Sequence, residues 1–376
     1  MAIRTTAPSA AWRLIRRDVE WGVVDGLRLR GGANRAVRAP SIGELYAPTN
    51  TSFPSVGTPS AAGLSGDPCD IRSSYRNGTN AAQVRALCIA QGISAASVDS
   101  YQFGNNQVSG ITGGNVNLEE ETADTWSVGA VYQSRFQNAW LSGISASIDY
   151  YNIEITNVIG TVGAAAQLQG CYNAQGQNPT YDATNGYCQL FQRDPLTGNV
   201  VQARELNQNL ATLKTSGIDA QVDYRIDAAD VGLPDIGAFN VNVVVGWLEN
   251  WERQDTAGGP FINRTGTIDS VFGNTFPEWK LLTSVNWSKG PFGAGVRWRR
   301  VGEMTQFGTT NVLEPLHYFD VNASWSINDA VALRAGVNNV GDESPRVYSP
   351  GVQANTDPST YDVLGRRYYV GLTAKF

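Results

Sequence analysis

Apolar and polar residues alternate with a period of two along most of this chain. In the clearest run, residues 316–327, Phe319 and Trp325 share one face of the predicted strand and Asp320 lies on the other. The same period recurs in residues 27–37, 122–133, 141–155, 206–226, 239–247, 279–287, 292–298 and 331–338. Because alternate side chains of a β-strand point to opposite faces, the pattern predicts an all-β chain of about 11 strands, counting a weaker one before Val23.

Two local features depart from this pattern. The alternation slips by one residue at Tyr150 and Tyr151, which predicts a β-bulge there. The other is the long, loop-like segment of residues 69–95. We expect a short helix around Ala81–Ala90 there, held in place by Cys88.

The connections between the predicted strands alternate between short and long. The short ones lie near residues 23–26, 134–139, 228–236, 288–291 and 328–329, and the long ones span roughly 38–121, 156–205, 253–276, 303–315 and 340–364. A soluble β-sandwich has no reason to sort its loops in this way. Membrane barrels do so, because their periplasmic turns are short and their extracellular loops are long. The chain is thus predicted to be a transmembrane antiparallel β-barrel segment with long extracellular loops.

Composition narrows the class further. Charged residues make up only 16% of the 376 residues, against roughly 25% in a typical soluble domain. No uninterrupted apolar run reaches the roughly 18 residues that a membrane-spanning helix needs. The formal net charge of −6 argues against nucleic acid as a partner. Trp at the predicted strand ends fits the aromatic belts of membrane proteins.

The chain offers little material for catalysis. It has one histidine, His317, at the start of a predicted strand, so we expect no enzyme activity, no metal site and no cofactor. The four cysteines form two local pairs in the long loops: Cys69 with Cys88, and Cys171 with Cys188. Their spacing matches no C-x-x-C zinc site, and disulfides in an oxidising compartment are favoured. Each would stabilise its loop by about 3 kcal/mol.

The two ends of the chain differ in character. Residues 1–20 contain no apolar segment of the kind found in a signal peptide. Residues 1–18 are atypical for a barrel, since three arginines crowd a stretch where a lipid-facing strand is expected. The last residues alternate as a strand up to the carboxylate, with Tyr368, Val370, Leu372 and the terminal Phe376 on one face.

Several stretches resemble the β-barrel of TonB-dependent outer-membrane receptors. Residues 27–46, "LRLRGGANRAVRAPSIGELY", are similar to the strand and R-x-P-x-x-x-E-L-Y loop entry of that family. Further similar stretches are 117–132, "NLEEETADTWSVGAVY"; 147–159, "SIDYYNIEITNVI"; 213–226, "LKTSGIDAQVDYRI"; 319–345, "FDVNASWSINDAVALRAGVNNVGDESP"; and 361–376, "YDVLGRRYYVGLTAKF". They occur in the family's order and cover roughly residues 20–376.

The resemblance implies half of a 22-stranded barrel, with residues 19–376 as its C-terminal part and residues 1–18 as an atypical, non-native stretch. The family's plug and TonB-contact segment have no counterpart in this sequence, so the TonB complex would act only through a plug outside it. The implied partners are outer-membrane lipid, the barrel-assembly machinery and a small-molecule ligand. The resemblance also implies that the terminal strand, with its aromatic last residue, is the signal that the barrel-assembly machinery reads. The implied location is the outer membrane of a Gram-negative bacterium.

The implied function is import of a scarce nutrient, either siderophore-bound iron or a carbohydrate, driven by energy that TonB transmits. The alternatives are a passive porin or another outer-membrane barrel without TonB coupling, and a soluble, secreted lectin-like β-protein. Aromatic residues in the long loops are candidates for ligand contact, because such rings stack on sugars and catecholates. These candidates are Tyr75, Tyr101, Tyr172, Tyr181, Tyr187, Trp251 and Phe261.

Overall fold

The computed structural model describes residues 2–5, 15–61, 63–209, 212–254, 259–268, 275–348 and 355–375. Its main feature is one antiparallel sheet in which twelve strands follow one another in chain order. They are β1 (Ala2–Thr5), β2 (Ile15–Val24), β3 (Leu27–Arg38), β4 (Glu121–Gln133), β5 (Ile144–Thr156), β6 (Thr212–Asp227), β7 (Ala238–Gln254), β8 (Trp279–Lys289), β9 (Phe292–Val301), β10 (Leu316–Ser326), β11 (Val331–Asn338) and β12 (Arg367–Ala374). A two-residue strand, Ile262–Asn263, adds to β7.

Each strand pairs with the strands before and after it in the chain, which is the order of an up-and-down barrel wall. Within the described residues, β1 and β12 do not pair with each other. The sheet is therefore a segment of a barrel rather than a closed one. This confirms the predicted fold class, a transmembrane-type antiparallel sheet of 11 to 12 strands.

The connections confirm the predicted sorting. Successive antiparallel strands run in opposite directions, so alternate connections lie at opposite ends of the sheet. One end carries the short connections 25–26, 134–143, 228–237, 290–291 and 327–330. The other end carries the long ones 39–120, 157–211, 255–278, 302–315 and 339–366. All the long loops therefore emerge at one end, which we call the loop end.

The sheet has one apolar and one polar face. The strand register aligns Tyr150, Ile218, Trp247 and Trp279 across four strands on the apolar face. Side chains on this face are exposed; Val370, for example, is 76% exposed. Large exposed apolar areas mark binding sites or membrane contact, and here the hydrocarbon of a membrane supplies the cover.

Aromatic residues on the apolar face form two bands. Near the loop end lie Trp126, Tyr150, Trp247, Trp279 and Trp298. Near the opposite end, which carries the short connections, lie Trp21, Trp287, Phe292 and Trp325. Tyr and Trp favour the two membrane–water interfaces, where their apolar body and polar tip both find a partner. The bands thus mark the two boundaries of the membrane-spanning part.

The predicted bulge at Tyr150 and Tyr151 is wrong. Pairing runs through both residues without a shift, on the β4 side and on the β6 side. The bulge lies instead on β7, where the register jumps from Asn250 to Leu248 opposite Ser216 and Gly217. Tyr151 fits the polar face because Gly217 lacks a side chain: a Cβ there would lie 2.6 Å from the Tyr151 hydroxyl.

The buried apolar side chains lie mainly in the long loops. One cluster is formed by loops 39–120 and 157–211, and a smaller one by the three later loops together with Leu316 and Tyr318 of β10. The helices are Ile42–Tyr46, Ser74–Asn77, Ala81–Ala90, Ala139–Ser142 and Ala164–Cys171, with 3-10 turns at Ala174–Gly176, Cys188–Leu190 and Ala229–Val231. The other short strands are Asn50–Ser52, Gly110–Gly113, Ile159–Gly160, Phe191–Arg193, Val200–Leu206, Gln208–Asn209, Thr267–Ile268, Thr275–Phe276, Met304–Gln306 and Val312–Leu313.

The helix at Ala81–Ala90 confirms the helix predicted there. In the part of the chain that is described, every helix is too short or too polar to cross a membrane.

The two faces of β7 allow a paired test of this membrane assignment. Val243→Arg places a charge on the apolar face, midway between the aromatic bands, and is expected to destabilise the barrel by about 2–4 kcal/mol. Asn242→Arg places the same charge on the polar face, beside Asp223, which already accepts a hydrogen bond from Asn242 at 2.7 Å. Folding into lipid vesicles, followed by heat-dependent gel mobility, should be impaired for Val243→Arg alone. Equal behaviour of the two variants would contradict the assignment of the faces.

Candidate ligand-binding face

The first two long loops fold together at the loop end. Gly110–Gly113 pairs antiparallel with Asn50–Ser52 of its own loop and parallel with Val200–Leu206 of the other. Phe191–Arg193 completes this four-stranded sheet. We call the described residues of 39–120 and 157–209 the loop domain. Because its sheet takes strands from both loops, neither loop can form it alone.

Two disulfides lie inside the loop domain. Cys69 joins Cys88 with a Cα–Cα distance of 5.8 Å, and Cys171 joins Cys188 at 4.7 Å. The Cys69–Cys88 bond attaches the helix Ala81–Ala90 to the preceding turn. All four cysteines belong to the same apolar core. The disulfides therefore fix the loops at their most buried points.

A buried ion pair lies between the two loops. Asp67 and Arg193 have fully buried side chains, joined by two hydrogen bonds of 2.7 and 2.8 Å. Tyr101 donates to the same carboxylate at 2.9 Å, and the Tyr172 hydroxyl lies 2.9 Å from the sulfur of Cys69. Burial raises the pKa of Tyr172 to about 12, so this hydroxyl keeps its proton at neutral pH.

Arg38 connects the loop domain to the barrel. Its guanidinium donates to Glu121, at the start of β4, and to both carboxylate oxygens of Glu44 at 3.0 and 3.1 Å. Ser41 and Glu44 form a reciprocal capping box for the helix Ile42–Tyr46. The hydrogen bond from Arg38 lowers the pKa of Glu44 to about 2. The carboxylate therefore stays charged at neutral and mildly acidic pH, and the contact persists there.

The structure separates the seven aromatic candidates for ligand contact. Tyr101, Tyr172 and Tyr187 are at most 6% exposed, so their rings pack in the loop core rather than at the surface. Tyr75 and Tyr181 are half-buried and pack against the same core. Burial of the Tyr75 ring raises the pKa of its hydroxyl.

The other two candidates lie at the edge of the barrel. Phe261 is exposed and its ring lies 4.5 Å from the ammonium group of Lys214. Trp251 stacks on Phe276 with ring centroids 4.0 Å apart. Trp251 pairs with Thr215, and Thr215 pairs with Ile153. Ile153 is two residues from Tyr151 along β5, so both lie on the polar face, and Trp251 lies there too.

Trp251 and Phe276 border a pocket of about 230 Å³ at the loop end of the polar face, which we call the mouth pocket. Its lining residues are Tyr151, Asp219, Gly246, Trp247, Leu248, Trp251, Thr275, Phe276, Pro277 and Lys280. Asp219, Gly246 and Lys280 come from three adjacent strands at one register level. An aromatic wall with a few convergent polar groups is the usual composition of a small-molecule site.

Sequence reasoning missed most of this site. Asp219 alternated in phase with the polar face, but nothing in the sequence joined it to Lys280 or to Phe276. Likewise, Asp67 and Arg193 lie 126 positions apart and belong to no motif. No group of three or more His, Cys, Asp or Glu side chains able to hold a metal ion occurs in the described ranges.

Among the strands that the structure describes, the terminal strand β12 pairs with β11 alone, so it forms one edge of this sheet. Tyr368, Val370 and Leu372 are 72%, 76% and 68% exposed on the apolar face. Phe376 lies outside the described residues. The role of these four residues in assembly stays a prediction.

A sheet with a lipid-facing apolar side, two aromatic bands and long loops at one end has the architecture of an outer-membrane β-barrel. The sequence model of the family described as "TonB dependent receptor-like, beta-barrel" matches residues 4–340. The chain belongs to this family of Gram-negative outer-membrane receptors, which are transport receptors and not enzymes. No curated protein matches it in sequence.

Two solved receptors are similar in fold. The ferric enterobactin receptor PfeA of Pseudomonas aeruginosa aligns with 96% of this chain at 15% identity and a TM-score of 0.55. The siderophore receptor PirA of Acinetobacter baumannii aligns with 96% at 12% identity and a TM-score of 0.53. The chain spans 40% of the first receptor and 41% of the second.

Proposed function

We propose that this chain is the C-terminal barrel part of a receptor that imports a scarce nutrient across the outer membrane. The observation that carries the proposal is the mouth pocket, which lies on the polar face at the loop end of the sheet. A ligand bound there is next to the lumen of the completed barrel. The two similar receptors named above are a ferric enterobactin receptor and a siderophore receptor, which supports an iron-siderophore; the aromatic wall equally supports a carbohydrate.

We propose that TonB supplies the energy through the plug of the complete receptor. Insertion is proposed to proceed through the barrel-assembly machinery, which would recognise β12 and Phe376. The division into residues 1–18 and 19–376 also stays a prediction. The structure includes Ile15–Val24 in one strand, paired with β3.

Uptake measurements test this function. Cells that express the receptor should accumulate radiolabelled ferric siderophores or oligosaccharides, and a strain without the receptor should not. Deletion of TonB should abolish this uptake at unchanged receptor abundance. Uptake that persists without TonB would identify a passive pore and refute the proposal.

A further inference from the structure

The mouth pocket has a floor of backbone. Gly246 lies on β7 between Asp219 on β6 and Lys280 on β8, at one register level. A Cβ at Gly246 would lie only 3.4 Å from the carboxylate of Asp219. Since glycine has no side chain, the space between the two charged groups stays open above the strand. A flat ligand can therefore lie close to the backbone at this point.

The wall of the pocket is aromatic. The ring centroids of Trp251 and Phe276 are 4.0 Å apart, and the two ring planes form an angle of 23°. Tyr151 lines the same space from β5, across Gly217. Aromatic faces carry partial negative charge, so they attract the weakly positive C–H groups on the flat side of a ring. This wall suits a ligand that presents such a side.

The two charged groups remain available to a ligand. Over the ranges that the structure describes, neither Asp219 nor Lys280 has a side-chain hydrogen bond or ion pair. Ionised aspartate only accepts hydrogen bonds, and the lysine ammonium only donates them. A hydroxyl group does both. Two neighbouring hydroxyls can therefore donate to Asp219 and accept from Lys280 at the same time.

Size and charge argue against a ferric siderophore in this pocket. Its volume of about 230 Å³ is below the roughly 300–1,000 Å³ of pockets for drug-sized ligands. One carboxylate and one ammonium group also give it no positive excess. The Asp219 carboxylate would repel a polyanionic iron chelate, and such repulsion discriminates against that class of ligand. A neutral ring of single-sugar size meets neither obstacle.

We propose that the mouth pocket is a subsite for one pyranose unit of a neutral oligosaccharide. The sugar ring stacks on Trp251, and its hydroxyls bind Asp219 and Lys280. This inference rests on the proposed import function, whose substrate class it specifies.

Binding to the purified receptor in detergent tests the proposal. The probes are maltose, cellobiose and xylobiose, with ferric enterobactin as the iron chelate, and the readout is isothermal calorimetry. At least one disaccharide should bind. Trp251→Ala and Asp219→Asn should each weaken this binding by roughly tenfold or more. Trp251→Phe, which retains a ring, should restore most of it.

The matched control is Trp279→Ala. This residue precedes Lys280 directly, but it lies on the apolar face beside Trp247. The substitution also removes an indole ring, but one outside the pocket lining, so sugar affinity should stay unchanged. Unchanged heat-dependent gel mobility of all variants would show that they remain folded.

Three outcomes would overturn the inference. In the first, the native receptor binds no disaccharide. In the second, the Trp251 and Asp219 variants bind the sugar as tightly as the native receptor. In the third, the receptor binds ferric enterobactin and these variants weaken that binding. The third outcome keeps the import function and changes only its substrate. By contrast, failure of the import proposal appears separately, as uptake that does not depend on TonB.

Discussion

Asp67→Asn is expected to destabilise the loop domain by about 3–5 kcal/mol, the largest effect among the substitutions considered. The amide keeps the shape of the side chain but leaves the Arg193 guanidinium buried without a negative partner. Burial by itself lowers the pKa of Arg193, yet the Asp67 carboxylate more than offsets this and raises it well above the ordinary value. The guanidinium consequently stays charged, and its desolvation is no longer compensated.

Hydrogen exchange in the detergent-solubilised receptor measures this effect, because local opening of the loop domain need not unfold the barrel. Amides of the helices Ala81–Ala90 and Ala164–Cys171 should lose protection together, since they share one core. Arg85→Gln is the matched control: Arg85 pairs with Asp99, and their side chains are 41% and 60% exposed. Exposed ion pairs contribute little, so helix protection should persist. Unchanged protection in Asp67→Asn would contradict the prediction.

A compensating pair sharpens this test. Asp67→Leu combined with Arg193→Met replaces both charges by apolar groups of similar volume. Such replacements of buried ion pairs are often neutral or stabilising. The double variant should therefore regain most of the protection that Asp67→Asn loses. If it stays as open as the single variant, the loss stems from the hydrogen bonds that Asp67 accepts from Tyr101 and from the Cys69 amide, and not from an unpaired charge.

Removal of the Cys69–Cys88 disulfide is expected to cost about 3 kcal/mol in the chain-entropy relation, for a sequence separation of 19 residues. The variant is Cys69→Ala with Cys88→Ala, because alanine leaves no polar group in the buried site. The effect should extend into the second loop. Tyr172 and Arg193 both contact the sulfur of Cys69, at 2.9 and 3.4 Å.

The same exchange measurement follows both loops. Amides of Ala164–Cys171 should lose protection although their own disulfide, Cys171–Cys188, is intact. The native receptor without reductant is the reference, and intact-mass analysis confirms that the second disulfide is present. Loss of protection confined to residues 69–90 would show that the two loops are stabilised separately.

The strands and the sorting of the connections were predictable from the sequence because both depend on the order of residues within short stretches of the chain. A period of two fixes which residues share a face, and the structure retains this for β10, where Phe319 and Asp320 lie on opposite faces. The resemblance in residues 27–46 identified the family, and the structure adds a physical role for Arg38 and Glu44 in joining loop and barrel.

The position of the β-bulge could not be predicted from the residue pattern of one strand. The slip at Tyr150 and Tyr151 is real in the sequence, but the glycine opposite, Gly217, accommodates Tyr151 without a bulge. The extra residue falls on β7, between Leu248 and Asn250. Which strand takes the irregularity depends on side chains of the neighbouring strand, and these are distant in sequence.

The sequence by itself determined the family, the two-faced strands and the end of the sheet that carries the long loops. The strands and the loop sorting follow from residue spacing along the chain, and the family follows from the resemblance of several of its stretches. Only the tertiary structure decided that Asp67 meets Arg193, that Tyr101 and Tyr172 pack inside the loop core, and that Asp219 and Lys280 flank one pocket. Those contacts depend on strand register and loop packing over long separations, which no local pattern encodes.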